Sequence, residues 1–178
     1  MGNLIADAQL AFAKKRGEAD IAMINSGGIR ADLTIEAGRP VTMSDLFAVQ
    51  PFGNEMIVMS LTGAQLREGM RKQLPQTNVQ RRFTQVSSSM RMVWSQTADG
   101  ASTLQSVTVN GQPLRDDKTY RVVVNNFMAE GGDDLSVFRQ GTERINLGPD
   151  IDALVEWLRD NPEAVKQIQP GRILRQEG

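Results

Sequence analysis

The sequence predicts an α/β (α+β) fold in which mixed β-sheets are flanked by helices, and three features point to it. Apolar residues recur at helical spacing near both ends, over Leu4–Phe12 and Ile151–Leu158. Between them, Phe83–Val124 has a strand-rich pattern that contains the hairpin signals Asp99-Gly100 and Asn110-Gly111. The chain has 178 residues, a length that suits one domain with a core of its own.

Composition and charge exclude several classes of function. With 40% hydrophobic and 23% charged residues and a formal net charge of −1, the chain has no basic field to bind nucleic acid or an anionic membrane. It contains neither histidine nor cysteine, which removes the usual zinc sites, thiol nucleophiles and histidine bases. No apolar run approaches the length of a membrane span, so we expect no membrane insertion. Such a chain is better suited to holding a substrate than to transforming it.

The first half predicts helices and strands in alternation. The first helix ends in Lys14-Lys15-Arg16 at Gly17, where cations suit the helix dipole, and the strand Asp20–Ile24 follows. After a connecting loop, 31–40, we expect Ser44 to cap a short helix, Asp45–Val49, that contains Phe47 as a core residue.

A second strand and helix follow. Glu55–Leu61 reads as a strand, and Thr62 caps a helix that runs to about Leu74, before Pro75. The polar segment 76–82 includes Arg81 and Arg82, which we interpret as a solvated pair rather than a recognition site.

The second half predicts a run of short strands, a helix and a last strand. The strand candidates are Phe83–Val86, Met90–Ser95, Leu104–Val109 and Tyr120–Val124. Pro149 opens a helix to about Arg159, and Gly171–Leu174 reads as the final strand.

A glycine turn at the end of the first strand is the first candidate site. In Asn25-Ser26-Gly27-Gly28-Ile29-Arg30, glycines tolerate positive φ and leave no Cβ in the way of a ligand. Arg30 carries a planar set of donors that matches phosphate or carboxylate oxygens, and the Asn25 amide both donates and accepts. The stretch therefore predicts a local anion pocket at the rim of a sheet.

Two phenylalanines lie outside any periodic apolar run. Phe52 stands in Gln50-Pro51-Phe52-Gly53-Asn54, and Phe127 follows the strand at Tyr120 and precedes Gly131-Gly132-Asp133-Asp134. Each ring either presents a face to a pocket or folds its loop onto the core. Aromatic rings stack on any base, and an acid can accept hydrogen bonds from ribose hydroxyls, so these loops with Arg30 describe a nucleotide pocket.

These three loops, together with the opening Gly2-Asn3-Leu4-Ile5-Ala6-Asp7-Ala8, resemble in this order the C-terminal domain of the 5'-nucleotidase family. That family includes periplasmic UDP-sugar hydrolases and ecto-5'-nucleotidases. The similarity runs from Gly2 to about Ile173. In the family the C-terminal domain binds the nucleotide, and a separate N-terminal metallophosphoesterase domain holds two divalent metal ions and performs hydrolysis.

The resemblance implies roles for the phosphate side of the pocket. By matching position, Arg30 and Asn25 would contact phosphate, and Gly28 would allow its approach. The segment upstream of the opening helix, which usually supplies further arginine, is missing here, so we expect weak phosphate affinity.

The resemblance also implies roles for the base and sugar side. Phe52 and Phe127 would sandwich the base, Asn54 would touch its edge, and Asp133 would hold the ribose hydroxyls. We therefore expect a nucleotide or an adenosine-like nucleoside as substrate.

For the whole protein, the resemblance implies that residues 1–178 are a single substrate-binding domain with no cofactor of its own. Its partner would be the N-terminal metallophosphoesterase domain of the same polypeptide, and its location the periplasm or the cell surface. The family's metal ligands include histidines, which this chain lacks, so we expect the catalytic domain to be absent and the isolated chain to be inactive.

Two alternatives stay open at this point. The chain could be a stand-alone nucleoside-binding module with no catalytic partner. It could also be a purely structural domain, in which Phe52 and Phe127 are core residues and Arg30 makes an internal salt bridge.

Overall fold

The computed structural model of the chain describes residues 1–35, 38–75, 83–163 and 168–176. The segment with Arg81 and Arg82 lies outside these ranges. Within them the helices are α1 (Gly2–Lys14), α2 (Met43–Val49), α3 (Gly63–Lys72), α4 (Asn126–Ala129) and α5 (Asp150–Asp160). The strands are β1 (Ile21–Ile24), β2 (Glu55–Thr62), β3 (Gln85–Val86), β4 (Met90–Gln96), β5 (Ser102–Val109), β6 (Gln112–Pro113), β7 (Thr119–Asn125), β8 (Thr142–Pro149) and β9 (Ile173–Gln176).

The strands form two mixed sheets, which confirms the predicted fold class. The larger sheet has the order β3-β1-β7-β2-β8, and the smaller one has the order β6-β5-β4-β9. In the larger sheet β1 and β7 run parallel, with Ile21 opposite Val122 and Ala22 opposite Val123, while its other pairs are antiparallel. In the smaller sheet β4 and β9 are the parallel pair.

Both faces of the larger sheet are buried, which explains why its central strands are apolar without alternation. On one face, Ala22 and Val123 pack with α1 and with Ala153 of α5. On the other face, Met23 and Val122 share a cluster with α3 and with the inner side of the smaller sheet. The larger sheet is thus the middle layer, and its strand ends are held from both sides.

Helix caps follow the sequence at one helix and differ at another. Thr62 caps α3 as predicted, and its hydroxyl accepts the Gln65 backbone N–H at 3.2 Å. The prediction for α2 was wrong: Thr42, not Ser44, is the N-cap, and it forms a capping box with Asp45. The threonine wins because Asp45 stands three residues after it and bonds back to the Thr42 backbone N–H at 2.8 Å.

Phe47 was also predicted wrongly, because it is not a core residue. Its side chain on α2 is 48% exposed, whereas Phe12 on α1 is 6% exposed. Helix α2 is a short surface helix that buries Leu46 and Val49, so Phe47 falls on its outer side.

Strand β8, β6 and the one-turn helix α4 were not predicted. The residues of β8 are mostly exposed and carry no apolar alternation, since β8 is the edge strand of the larger sheet. Its Arg144 guanidinium donates to the carbonyl oxygens of Ala129 at 3.1 Å and Phe138 at 3.2 Å. This edge strand therefore holds the loop that follows Phe127.

A buried ion pair joins α1 to the last strand region. The Arg172 guanidinium lies 2.6 Å from a carboxylate oxygen of Asp7, and both side chains are about nine-tenths buried. Arg172 also donates to the Val86 carbonyl at 2.8 Å, and Asp7 accepts the Ser88 backbone N–H at 2.7 Å. The pair thereby fixes both ends of the chain against the turn between β3 and β4.

We expect Asp7→Ala to lower the free energy of unfolding by about 3–5 kcal/mol, because it leaves the buried Arg172 charge without its partner. Urea denaturation followed by circular dichroism measures the change. The control is Asp117→Ala, which removes a solvent-exposed partner of Arg115 and should leave the midpoint unchanged. Equal midpoints for all three proteins would contradict the structural importance of the pair.

Candidate functional site

The site begins where the two parallel strands β1 and β7 end. Asn25 directly follows β1, and Asn125 is the last residue of β7. Both side chains are buried. Because the strands are adjacent and parallel, their carboxyl ends meet at one edge of the sheet. The Asn125 amide nitrogen donates to the Asn25 amide oxygen at 2.9 Å. The loops after both strands therefore start from one fixed point.

The first loop turns sharply in a 3₁₀ turn over Ser26–Gly28, in which the Gly28 N–H donates to the Asn25 carbonyl at 3.0 Å. The expectation that its glycines serve positive φ was wrong, since neither Gly27 nor Gly28 has it. Position 28 suits glycine because there is little room for a side chain: a Cβ would lie 3.0 Å from the Asn25 amide oxygen. The turn thus lies directly on the asparagine side chain.

Arg30 and Phe52 meet at the outer side of this loop. The Arg30 backbone N–H donates to the carbonyl of Val49 at 2.9 Å, which ties the loop to the end of α2. The Arg30 guanidinium lies 5.7 Å from the centroid of the Phe52 ring, within the range of a cation–π contact. Phe52 itself is 56% exposed. Its turn is completed by Gly53 at φ +60°, a conformation that favours glycine.

The third loop holds Phe127 and Asp133. Phe127 lies in α4 with 47% of its surface exposed, and its ring packs on Gly132, where an added Cβ would overlap the ring atoms. The Gly132 N–H donates to the Phe127 carbonyl at 2.9 Å. Asp133 and Asp134 both have positive φ, which turns the chain so that Asp133 reaches back toward β1.

These loops surround one pocket of about 410 Å³. All of the predicted site residues except Arg30 line it, together with Gly27: Asn25, Gly28, Phe52, Asn54, Phe127 and Asp133. Arg30 stands beside it, against the Phe52 ring. The structure therefore brings together residues that are separated by up to 108 positions in the chain.

Asn125 was missed as a site residue. It links Asn25 to the backbone of α4, and Asn25 in turn donates to a carboxylate oxygen of Asp133 at 2.8 Å. The signal was present in the sequence, because both buried strands run into an asparagine. Recognising it required knowing that these two strands are parallel neighbours.

Neither a metal site nor a membrane span emerges from the described part of the chain. Within residues 1–35, 38–75, 83–163 and 168–176, no group of three or more acidic side chains is placed to bind a metal ion. The sequence has no histidine and no cysteine. Over the same ranges, no helix is both long and apolar enough to cross a membrane.

The sequence of the chain matches a known family. The family profile described as 5'-nucleotidase, C-terminal domain, matches residues 1–140. The chain belongs to this family. The structure agrees: it superposes on a 5'-nucleotidase precursor from Thermus thermophilus with a TM-score of 0.80 and 34% identity, covering 98% of this chain and 34% of that one.

Curated relatives of this 5'-nucleotidase C-terminal domain are much longer proteins. A cell wall protein of Listeria monocytogenes is 37% identical over 94% of this chain and 22% of its own length. A trifunctional nucleotide phosphoesterase of Bacillus subtilis is 36% identical over 97% of this chain and 12% of its own length. A 5'-nucleotidase of Vibrio cholerae is 31% identical over 96% of this chain and 29% of its own length. The chain thus spans less than a third of the length of these relatives.

A buried acid lies behind the pocket, next to Asn54. Asp150 is the first residue of α5, it is 2% exposed, and its backbone N–H donates to the Asn54 carbonyl at 2.8 Å. Burial raises the pKa of the Asp150 carboxyl to about 6, and the Asn54 side chain and the Ile151 backbone amide offset only part of this effect. Asp150 therefore binds a proton more tightly in the folded chain than in the unfolded one.

This raised pKa predicts a loss of stability as the pH rises. The protonated acid favours the folded state below pH 4, and this contribution disappears as the pH passes 6, where the folded state must bury a charge. Asp150→Asn should match the wild type at pH 4 and exceed it by up to about 3 kcal/mol at pH 8. Denaturation curves at the two pH values check this, with the exposed Asp32→Asn as control. A variant that is less stable at pH 8 would contradict it.

Proposed function

We propose that the chain is the substrate-binding domain of a 5'-nucleotidase, and that a nucleotide or nucleoside binds in the pocket between Phe52 and Phe127. The observation that carries the proposal is the convergence of three separate loops on one pocket, each contributing a group that suits a different part of a nucleotide. Membership of the 5'-nucleotidase C-terminal domain family supports the same substrate class.

The base would stack on the two phenylalanine rings. Both rings are about half exposed at the pocket wall, so each offers apolar surface that a flat ligand would cover. Stacking works with any base, because every base has a π face. Asn54, which also lines the pocket, would meet the edge of the base with its amide.

The phosphate would lie toward Arg30. Within the described residues the Arg30 guanidinium has no carboxylate partner, and its only described ring contact is with Phe52. It therefore keeps its donors for an anion. Gly28 and Asn25, the other residues predicted on the phosphate side, both line the pocket, and the Asn25 amide is bonded to Asp133 and Asn125.

The ribose would lie over Asp133. One oxygen of this carboxylate accepts a hydrogen bond from Asn25, and the residue lines the pocket, so its remaining lone pairs suit sugar hydroxyls.

Hydrolysis would take place in another domain. We propose that residues 1–178 form a single binding domain and that an N-terminal metallophosphoesterase domain of the same polypeptide, with two divalent metal ions, cleaves the phosphate. The greater length of the relatives leaves room for such a domain, and names such as trifunctional nucleotide phosphoesterase agree with that chemistry. The isolated chain would then have no phosphatase activity. A relative named as a cell wall protein supports a place outside the cytoplasm.

The exposure of Phe52 and Phe127 counts against the purely structural alternative, which needs both rings in the core. The stand-alone module differs from our proposal only in lacking a catalytic partner, and it predicts the same pocket.

Phe127→Ala should weaken adenosine binding by about 5- to 150-fold, because it removes one of two stacking surfaces worth about 1–3 kcal/mol each. Titration of the ¹⁵N-labelled chain with adenosine, followed by NMR, measures the affinity. Phe47→Ala is the matched control, since that ring is equally exposed but lies outside the pocket. If adenosine at millimolar concentration moves no signal of the wild type, the proposed function is wrong.

Arg30→Ala should weaken AMP binding by at least about tenfold and adenosine binding by less than about threefold, since only AMP carries a phosphate. The same titration with both ligands measures the ratio. Arg91→Ala, on an exposed side of β4, serves as a control for net charge. Equal losses for both ligands would assign Arg30 to the base or to the Phe52 ring instead.

A further inference from the structure

Three hydrogen bonds connect the backbone of α4 to the carboxylate of Asp133. The Met128 backbone N–H donates to the Asn125 amide oxygen at 2.8 Å. The Asn125 amide nitrogen donates to the Asn25 amide oxygen at 2.9 Å. The Asn25 amide nitrogen then donates to a carboxylate oxygen of Asp133 at 2.8 Å. The chain of bonds crosses from β7 to β1 and ends at the pocket wall.

The direction of every bond in this chain is fixed by its first member. A backbone N–H can only donate, so Asn125 must present its oxygen to Met128 and its nitrogen to Asn25. Asn25 must then accept with its oxygen, which leaves its nitrogen for Asp133. Neither amide can turn over without placing two donors or two acceptors against each other.

Burial makes this order costly to break. Asn125 is 1% exposed and does not line the pocket, so water does not replace a lost partner at its amide, whereas Asn25 is 6% exposed and lies at the pocket wall. A buried polar group left without its bond costs about 1–3 kcal/mol, more than a made bond contributes. The two asparagines therefore present an N–H to one oxygen of the exposed Asp133 carboxylate, and this oxygen accepts while the other stays available at the pocket wall.

We infer that Asn125 is a positioning residue that acts through Asn25 to aim the Asp133 carboxylate at the hydroxyl groups of a ribose. This inference rests on the proposed function, to which the contact between Asp133 and the ribose diol belongs, and it adds the buried residue that orients this acceptor. Asn125 lies behind Asn25 and does not line the pocket, so its effect on a ligand is indirect.

Asn125→Asp tests the direction of the chain with little change in shape. Once ionised, the new carboxylate keeps an oxygen for Met128 but replaces the donor to Asn25 by an acceptor, so Asn25 must turn over and present its oxygen to Asp133. Because burial favours the protonated acid, which could still donate to Asn25, the titrations are made at pH 6 and at pH 9, and the effect should be larger at pH 9. Adenosine binding should weaken by about 3- to 10-fold, whereas binding of 2',3'-dideoxyadenosine, which lacks both hydroxyls, should change less than about twofold. NMR titration of the full chain gives both affinities.

Two further variants separate positioning from loss of folding. Asn125→Ser keeps a hydroxyl that can cap the Met128 N–H but is too short to reach Asn25, and it introduces no buried charge. It should reduce the preference for adenosine in the same way. Asp133→Asn removes the carboxylate and suits the positive φ at that position. In the Asp133→Asn background, adding Asn125→Asp should have no further effect on the adenosine preference.

The control is Asp134→Asn, which removes a neighbouring charge from the same loop and should leave the preference unchanged. The positioning role is overturned if both Asn125 variants weaken the binding of adenosine and dideoxyadenosine equally, or if they leave the binding of both nucleosides unchanged. Asn125 would then only tie β1 to β7. If the wild type binds adenosine and dideoxyadenosine equally while Phe127→Ala abolishes both, the diol inference fails but the stacking pocket stands. If the wild type binds neither nucleoside, the proposed function fails as well.

Discussion

The parallel pairing of β1 with β7 is the constraint on which the site depends. Asn25 and Asn125, at the ends of the two strands, are 100 positions apart in the chain, yet they lie at the same edge of the larger sheet. Antiparallel neighbours would have placed these ends at opposite edges. Because the pairing is buried on both faces, a shift of register would move core residues such as Ala22 and Val123 out of their layers. The core thus fixes the relative position of the loops that line the pocket.

The pocket itself is built from groups that the core does not use. Phe52 and Phe127 leave about half of their surface exposed, although most apolar side chains of the central strands are fully buried. Apolar surface kept in water is unfavourable by roughly 25 cal/mol per Å². A flat ligand that covers these rings therefore removes apolar surface from water that folding left exposed, and this favours binding. Gly132 and Gly53 help to hold the rings in this position, one by close packing and one by its backbone conformation.

Buried charges serve two different purposes in this fold. Asp7 and Arg172 neutralise each other and share further bonds with the backbone, so they join the first helix to the last strand region. Asp150 has no cation among the groups that set its pKa, and its carboxyl is held in a low-dielectric position beside Asn54. The first arrangement stabilises the fold, and the second lowers its stability at neutral pH at a point directly behind the pocket.

Local patterns in the sequence predicted the elements that carry either a periodic apolar face or a continuous apolar run. Helices α1, α3 and α5 and strands β2, β4 and β7 were all placed within a few residues of their ends. Strand β8 was missed because an exposed edge strand has no apolar alternation. Phe47 was misplaced because an apolar residue on a short surface helix carries no sign of which side is buried. Thr42 was overlooked as a cap in favour of Ser44, although Asp45 stands at the capping-box spacing from Thr42 alone.

The sequence by itself determined the fold class, the family and the chemical groups of the pocket, because strand ends, paired glycines and isolated aromatics are local features of the chain. Only the tertiary structure decided which of these groups touch. Asn125, Asn25 and Asp133 form one directed chain of hydrogen bonds because parallel pairing brings together residues 100 and 108 positions apart. No local pattern in the sequence predicts contacts between residues so far apart, because the strand pairing that brings them together is fixed by packing on both faces of the sheet.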